Sequence, residues 1–240
     1  MSYLVIDIET IPDQRPDALD KIMEGLTVKA PDLTKPKLIE ALGLGDNGKY
    51  KTVPELKDMW LEEFGEQAKK EQAKEKWLKT SLDGSSGQVC CISVSNDDFS
   101  LTVGDGVDEL RILWMFWDEL LKEFNGRCPT LVAHNAKFDL PFIYHRSVIN
   151  SVKPAYGFKP HGRHGSDHFC TMEAWAGFGG RISLDRLAKT LGVKGKGGMS
   201  GADVWPAWVQ GKHKEIAEYC EDDVRITHDI YKRLNFQGVK

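Results

Sequence analysis

Tyr3-Leu4-Val5-Ile6-Asp7-Ile8-Glu9-Thr10 is an apolar run that ends in two carboxylates spaced two apart. Side chains alternate across a strand, so a strand here sets Asp7 and Glu9 on one face. Two anions held side by side repel and lose hydration, a cost usually offset by a divalent cation or by protonation of one of them. The pair therefore reads as half of a metal site if other acids join it. A solitary Asp-x-Glu at a strand end is ordinarily just solvated, so the reading depends on the rest of the chain.

Further strands are expected at Val89-Cys90-Cys91-Ile92-Ser93-Val94 and Leu101-Thr102-Val103, joined by a polar Asn96-Asp97-Asp98 turn; with residues 3 to 8 they would form a three-stranded meander. From Val107 to Phe124, Leu110, Leu113, Trp114, Trp117, Leu120, Leu121 and Phe124 recur at helical spacing. Thr130-Leu131-Val132-Ala133 reads as a buried strand, and a helix is expected to begin at Asp139 with Pro141 in its first turn. Ser183 is the expected N-cap of a helix through Leu191 that Gly192 ends, and a long last helix is expected from about Lys212 to Leu234. Between Pro12 and Gly87 the pattern loosens. Asp32-Leu33-Thr34-Lys35-Pro36 and Leu44-Gly45-Asp46-Asn47-Gly48 are loop signals, whereas Trp60 to Lys79 is a charged helical stretch with Trp60, Phe64, Ala68, Ala73 and Trp77 near one side. Its lysines 69, 70, 74, 76 and 79 could follow a phosphate backbone, but a helical charge run is more often a solvated face.

The 240 residues can bury a substantial core, and 41% hydrophobic with 28% charged content is that of a soluble globular protein. There is no apolar run of membrane-spanning length and no signal-peptide pattern at the start, so a cytoplasmic protein is expected. Five cysteines, two of them adjacent and none in Cys-x-x-Cys spacing, argue against a disulfide framework or zinc ribbon. A net charge of −4 does not advertise a nucleic-acid binder, yet it permits one whose acids gather around metals.

Two later constellations bear on Asp7 and Glu9. In His134-Asn135-Ala136-Lys137-Phe138-Asp139 a buried strand ends in polar residues and puts Asp139 at a helix start, where an Asp is routinely only a cap. On the last helix, Ile216, Cys220, Thr227, Ile230 and Leu234 form the apolar stripe, and Tyr219 and Asp223 fall within it. A carboxylate on an inward face needs a partner. Glu221 and Asp222 point elsewhere and are expected to be solvated.

With these residues in this order, the chain resembles the DEDD superfamily of 3'-5' exonucleases, in the branch whose third motif is Tyr-x-x-x-Asp. It is most similar to stand-alone phage and prophage exonucleases akin to the proofreading domain of family-B DNA polymerases. Asp7-Ile8-Glu9, Asn135 with Phe138-Asp139, and Tyr219 with Asp223 carry the likeness. It extends to Ser81-Leu82-Asp83-Gly84, Gly87-Gln88-Val89-Cys90, Ser183-Leu184-Asp185-Arg186-Leu187-Ala188 and Gly198-Met199-Ser200-Gly201. The related branch uses a histidine where this chain has Glu218, and relatives tend to carry an Asp where it has Cys170. The resemblance implies an α/β, ribonuclease-H-like mixed sheet flanked by helices, in a single exonuclease domain over 1–240 with a partly helical insertion at about 13–80 between the first two strands. It also implies a phage or prophage protein acting in a bacterial host.

Phosphodiester hydrolysis needs an activated water and stabilisation of charge on the transition state and leaving oxygen, which two hard cations about 4 Å apart can supply. Mg²⁺ or Mn²⁺ suits four acids with no nearby His/Cys set better than zinc does. By resemblance, Asp7 bridges both metals, Glu9 and Asp223 hold the one at the attacking water, and Asp139 positions the other mainly through water. Tyr219 orients or helps deprotonate the nucleophile, and Thr10, Ile11, His134, Asn135 and Phe138 contact the substrate. The expected activity is release of nucleoside monophosphates from single-stranded or frayed DNA 3' ends. An exoribonuclease of the same fold and a non-catalytic nucleic-acid-binding module are the alternatives. His161, His164 and His168 with Cys170 match no usual zinc spacing and fit a glycine-rich surface loop; Lys194-Gly195-Lys196-Gly197-Gly198 reads either as a phosphate contact or a helix connector; Trp205-Pro206-Ala207-Trp208 reads as core packing rather than base stacking.

Overall fold

The computed structural model describes residues 2–195 and 197–237, so Lys196 of the glycine-rich connector lies outside the described residues. The chain divides into two compact units, 13–79 and the remainder. In the smaller unit, α1 (Ala18–Glu24) and α2 (Lys35–Ala41) both pack on α3 (Val53–Lys79). Leu56 and Ala73 are buried along α3, and the Trp77 indole donates to the Asp13 carbonyl at 2.8 Å. Lys70, Lys74, Lys76 and Lys79 are exposed, as a solvated helix face would have them, and Lys69 is half-buried. Lys35 and Pro36, expected in a loop, form the first turn of α2, where proline at the second position forfeits no helix hydrogen bond.

The larger unit is built on a five-stranded mixed sheet in the order β3-β2-β1-β4-β5, with β1 (Tyr3–Ile11), β2 (Gln88–Ser95), β3 (Ser100–Val103), β4 (Thr130–Ala133) and β5 (His168–Cys170). The meander holds: β1 pairs antiparallel with β2 and β2 with β3, whereas β4 is parallel to both β1 and β5. Gly87 permits the close entry into β2, since a Cβ there would sit 2.5 Å from the Thr80 carbonyl oxygen. β5 was not expected from the sequence; three residues inside a glycine-rich segment give too short a pattern to show period two.

Leu4, Ile6 and Ile8 on one face of β1 meet α4 (Glu109–Glu123) and α5 (Ala136–Ile149) in the main core, around Phe116, Trp117, Leu120, Leu140 and Ile143. Two details of these helices differ from expectation. In α4 the buried row is Glu109, Ile112, Leu113, Phe116, Trp117 and Leu120, while Leu110, Trp114 and Leu121 face solvent; an excess of apolar residues obscures the phase of the helix. α5 begins three residues before Asp139, with Asn135 as N-cap, so Pro141 sits in the second turn. The opposite face of β1 meets α9 (His213–Leu234) through Val5, Val132 and Val224. The short α6 (Thr171–Ala176), α7 (Leu184–Leu191) and α8 (Gly201–Val209) complete that layer. Ser183 caps α7 by accepting from the Arg186 amide, and Gly192 ends it in the left-handed conformation at φ 66°. Trp205 and Trp208 pack with Ile11, Val204 and Ile216, which is the core role. Among the described residues no helix is long and apolar enough to cross a membrane.

Candidate active site

Only Tyr3, Leu4 and Val5 of β1 pair with β4, so the later half of β1 projects past that neighbour. Asp7 and Glu9 lie on this projecting half, opposite Ser93 and Cys91 of β2 and on the face that meets α9. The register slips between Glu9 and Thr10, a bulge of the kind that re-aims side chains beside functional sites. The Thr10 hydroxyl donates to the Ser81 carbonyl at 2.7 Å, and Ile11 is buried in the core, so Ile11 can offer a substrate only its backbone.

Helix α9 brings Tyr219, Cys220 and Asp223 to this face, all buried. The Tyr219 hydroxyl donates to Asp223, one turn further on. The Cys220 thiol lies 3.5 Å from the Asp7 carbonyl and 3.6 Å from Asp7 Oδ2. Donor atoms of Asp7, Glu9 and Cys220 all fall within 4.8 Å of one another, the one such group among the described residues. Cys220 reads from the sequence as part of an apolar stripe; its spacing put it on the right face, but thiols so often serve as small hydrophobes that nothing marked it as a neighbour of Asp7. Asp139, 5% exposed, enters from α5 and accepts from the Ile8 backbone amide.

The electrostatics follow from packing acids together. The Asp7 carboxyl is held well above the usual range, first by burial and then by Glu9, Asp139 and Asp223, against a hydrogen bond from Cys220. Asp139 is raised to about 7, chiefly by burial, with Asp223 adding to it and backbone amides opposing. Tyr219 is pushed far upward by burial and by Glu9, Asp223 and Asp7. Hard oxygen donors that repel one another and resist ionisation suit a divalent cation, which would replace the protons.

A stability prediction follows. The folded chain keeps the Asp139 proton up to about pH 7 while the unfolded chain loses it near 4, so between those values folding binds protons and stability falls as pH rises. Metal-free protein should therefore lose on the order of a few kcal/mol from this group across that window, and Mn²⁺ should restore it. Melting curves of the chain and of Asp139→Asn, with EDTA and with Mn²⁺, would check this. Equal pH slopes for the two chains in EDTA would refute it.

The other expected contacts are placed as follows. Both ring nitrogens of His134 have protein partners, Nδ1 with Thr171 Oγ1 and Nε2 with the Ile182 carbonyl, each at 2.9 Å. Phe138 is half-buried against Phe142 at the edge of the core. Asn135 is exposed and makes no side-chain cap bond to its own helix. Glu218 is exposed and ion-paired to Lys214, and Asp222 pairs with Arg225. Of the loop histidines, His164 Nδ1 accepts from the Cys170 amide and His161 lies beside Tyr144 and His145.

The chain belongs to the family described as a predicted 3'-5' exonuclease related to the exonuclease domain of PolB, whose model matches residues 76–239. No curated protein matches it. The matched span contains Asp139, Tyr219 and Asp223 but not β1, so the association of Asp7 and Glu9 with them rests on the geometry above.

Proposed function

We propose that the protein is a metal-dependent 3'-5' exonuclease that removes nucleoside monophosphates from single-stranded or frayed DNA 3' ends. The observation that carries this reading is that Asp7 and Glu9 lie together on a strand while Asp139 from one helix and Asp223 from another are near enough to raise the Asp7 carboxyl, in a chain of this family. Asp7, Glu9, Asp139 and Asp223 would hold two Mg²⁺ or Mn²⁺ ions. Such ions supply an acidic water and charge stabilisation on the phosphoryl and leaving oxygens. The carboxylates fix where that chemistry happens, because β1 is anchored on both sides by β2 and β4 and α9 is packed over it. Among the residues expected to touch substrate, Thr10, His134 and Asn135 have polar side chains near the end of a strand and are not wholly buried, and the His134 ring is already held by Thr171 and the Ile182 carbonyl.

Tyr219 acts in this reading by orienting the attacking water rather than by taking its proton. Burial and three carboxylates oppose the phenolate, so the hydroxyl stays protonated and serves as a directed donor and acceptor. Tyr219→Phe keeps the ring and the packing with Ile216 and Trp208. Turnover should fall by roughly 10²-fold with little change in melting temperature.

The experiment uses 5'-labelled DNA and RNA strands with Mg²⁺ and with EDTA, for both chains. A ladder of products shortened from the 3' end, with Mg²⁺ only, supports the reading, and the faster polymer identifies the substrate. Cleavage of a circular strand or persistence in EDTA refutes it, and an unchanged rate for Tyr219→Phe reduces that residue to packing.

A further inference from the structure

A small basic and aromatic platform is joined to α5 through Lys137, two residues before Asp139. The segment Gly177-Phe178-Gly179-Gly180-Arg181 follows α6, and the Phe178 ring is 91% exposed. It is held out by a defined turn: Gly177 and Gly179 have φ of 79° and 76°, and the Gly177 and Gly180 amides donate to Glu173 and Gly177 carbonyls at 2.9 and 3.0 Å. A Cβ on Gly180 would come 2.2 Å from the Ala176 carbonyl oxygen, so the loop folds tightly onto the end of the helix. The Lys137 ammonium sits over the Phe178 ring, 4.4 Å from its centre, and 3.5 Å from Glu173. Arg181 is exposed and makes no ion pair among the described residues. Beside Lys137 and Arg181 is a cavity of about 250 Å³, lined also by Asn135, Cys170, Met172, Glu173 and the two glycines that follow Phe178, while the Phe178 ring stands outside it. His134 ties both ends of this segment to β4, since its ring bridges the Ile182 carbonyl and Thr171 from the end of that strand.

A single exposed phenylalanine needs no explanation by itself. What calls for a ligand here is its company: a cation already on the ring, a second cation with no acid to pair with, and a cavity that opens beside Asn135, about 6 Å along the helix axis from Asp139. Flat faces with cations beside them are how single-stranded nucleic acid is gripped without reading sequence, a base on the ring and phosphate on the cations.

We propose that Phe178, Lys137 and Arg181 bind the nucleotide immediately upstream of the one being removed, its base against Phe178 and its phosphate against Arg181 and Lys137. The inference rests on the nuclease reading of the neighbouring cluster and names how that site holds its strand. Asn135 lines the same cavity and lies four residues before Asp139, so in this proposal it would meet the linkage joining the two nucleotides.

The test compares binding of thymidine 5'-monophosphate with that of a 5'-labelled thymidine trinucleotide. Ca²⁺ replaces Mg²⁺, and gels check that the probe stays intact. The chain as it stands should gain roughly tenfold or more in affinity on going from one nucleotide to three. Phe178→Ala should lose most of that gain and Phe178→Tyr should keep it. Arg181→Ala should weaken trinucleotide binding and reduce the salt slope by about 1. Melting curves should be unchanged, since both side chains are exposed. Variants that bind the trinucleotide as the original chain does would remove the platform and leave the nuclease reading intact, provided the original chain shortens DNA. An equal loss on the mononucleotide would overturn the upstream placement. Failure of the original chain to bind any oligonucleotide would overturn both.

Discussion

Asp7→Asn should lower turnover by roughly 10³-fold or more while leaving the metal-free protein at least as stable as before. The two effects have one cause. Asp7 is the acid against which the other three are felt: after burial, Glu9, Asp139 and Asp223 each raise its carboxyl in turn. An amide of the same shape removes a charge from that cluster and so relieves repulsion, and it still offers an oxygen to the Cys220 thiol. In the proposed reading the same change also takes away one of the four acids that would hold the metal ions. Losing several kcal/mol of charge stabilisation is worth about three powers of ten in rate. Mn²⁺ titration, single-turnover rates and melting in EDTA together separate this from unfolding. A variant within tenfold of the original rate would remove Asp7 from the active site, and a marked loss of metal-free stability would show that its role is structural.

How much of this the sequence disclosed depends on whether the signal was local. Asp7 and Glu9 were legible because strand alternation fixes two residues at i and i+2 on one face, and Tyr219 and Asp223 because four residues make one helical turn. The meander was legible because β2 and β3 have periodic apolar patterns flanking a turn. What was hidden is what requires the chain to come back on itself. β5 exists only because β4 offers an edge to three residues with little pattern of their own. Phe178 and Lys137 are far apart in sequence and meet only through the turn after α6. The phase of α4 was misread for the opposite reason: Leu110, Trp114 and Leu121 are as apolar as the buried row, so composition outweighed geometry.

The most concealed feature is also the one whose disruption should cost the most stability. Glu109, the first residue of α4, is separated from Arg146 by 37 residues, and no local pattern links them. The structure nevertheless closes a buried pair, with Arg146 Nε and Nη2 donating to the two Glu109 carboxylate oxygens at 2.8 and 2.7 Å. The Val89 amide and the Asn150 carboxamide donate to the same oxygens at 2.7 and 2.9 Å. The two side chains are 6% and 8% exposed. Glu109→Ala would therefore leave a buried guanidinium with little besides the Gly84 carbonyl at 3.5 Å, and would orphan the amide at the start of β2. Breaking one side of such a pair costs about 3 to 5 kcal/mol, mostly the penalty for the charge left behind. For a chain of this size that is a fall in melting temperature of roughly 10 °C. Replacing both partners, Glu109→Leu with Arg146→Leu, removes the stranded charge and should recover much of the loss. Denaturant melts of the two single variants and the double variant would show it. A Glu109→Ala chain within about 1 kcal/mol of the original would mean that the pair contributes nothing. The consequence reaches the acids, because Val89 pairs with Thr10 just past the bulge at Glu9, so the buried carboxylate fixes where β2 begins and thereby the strand against which Asp7 and Glu9 are held.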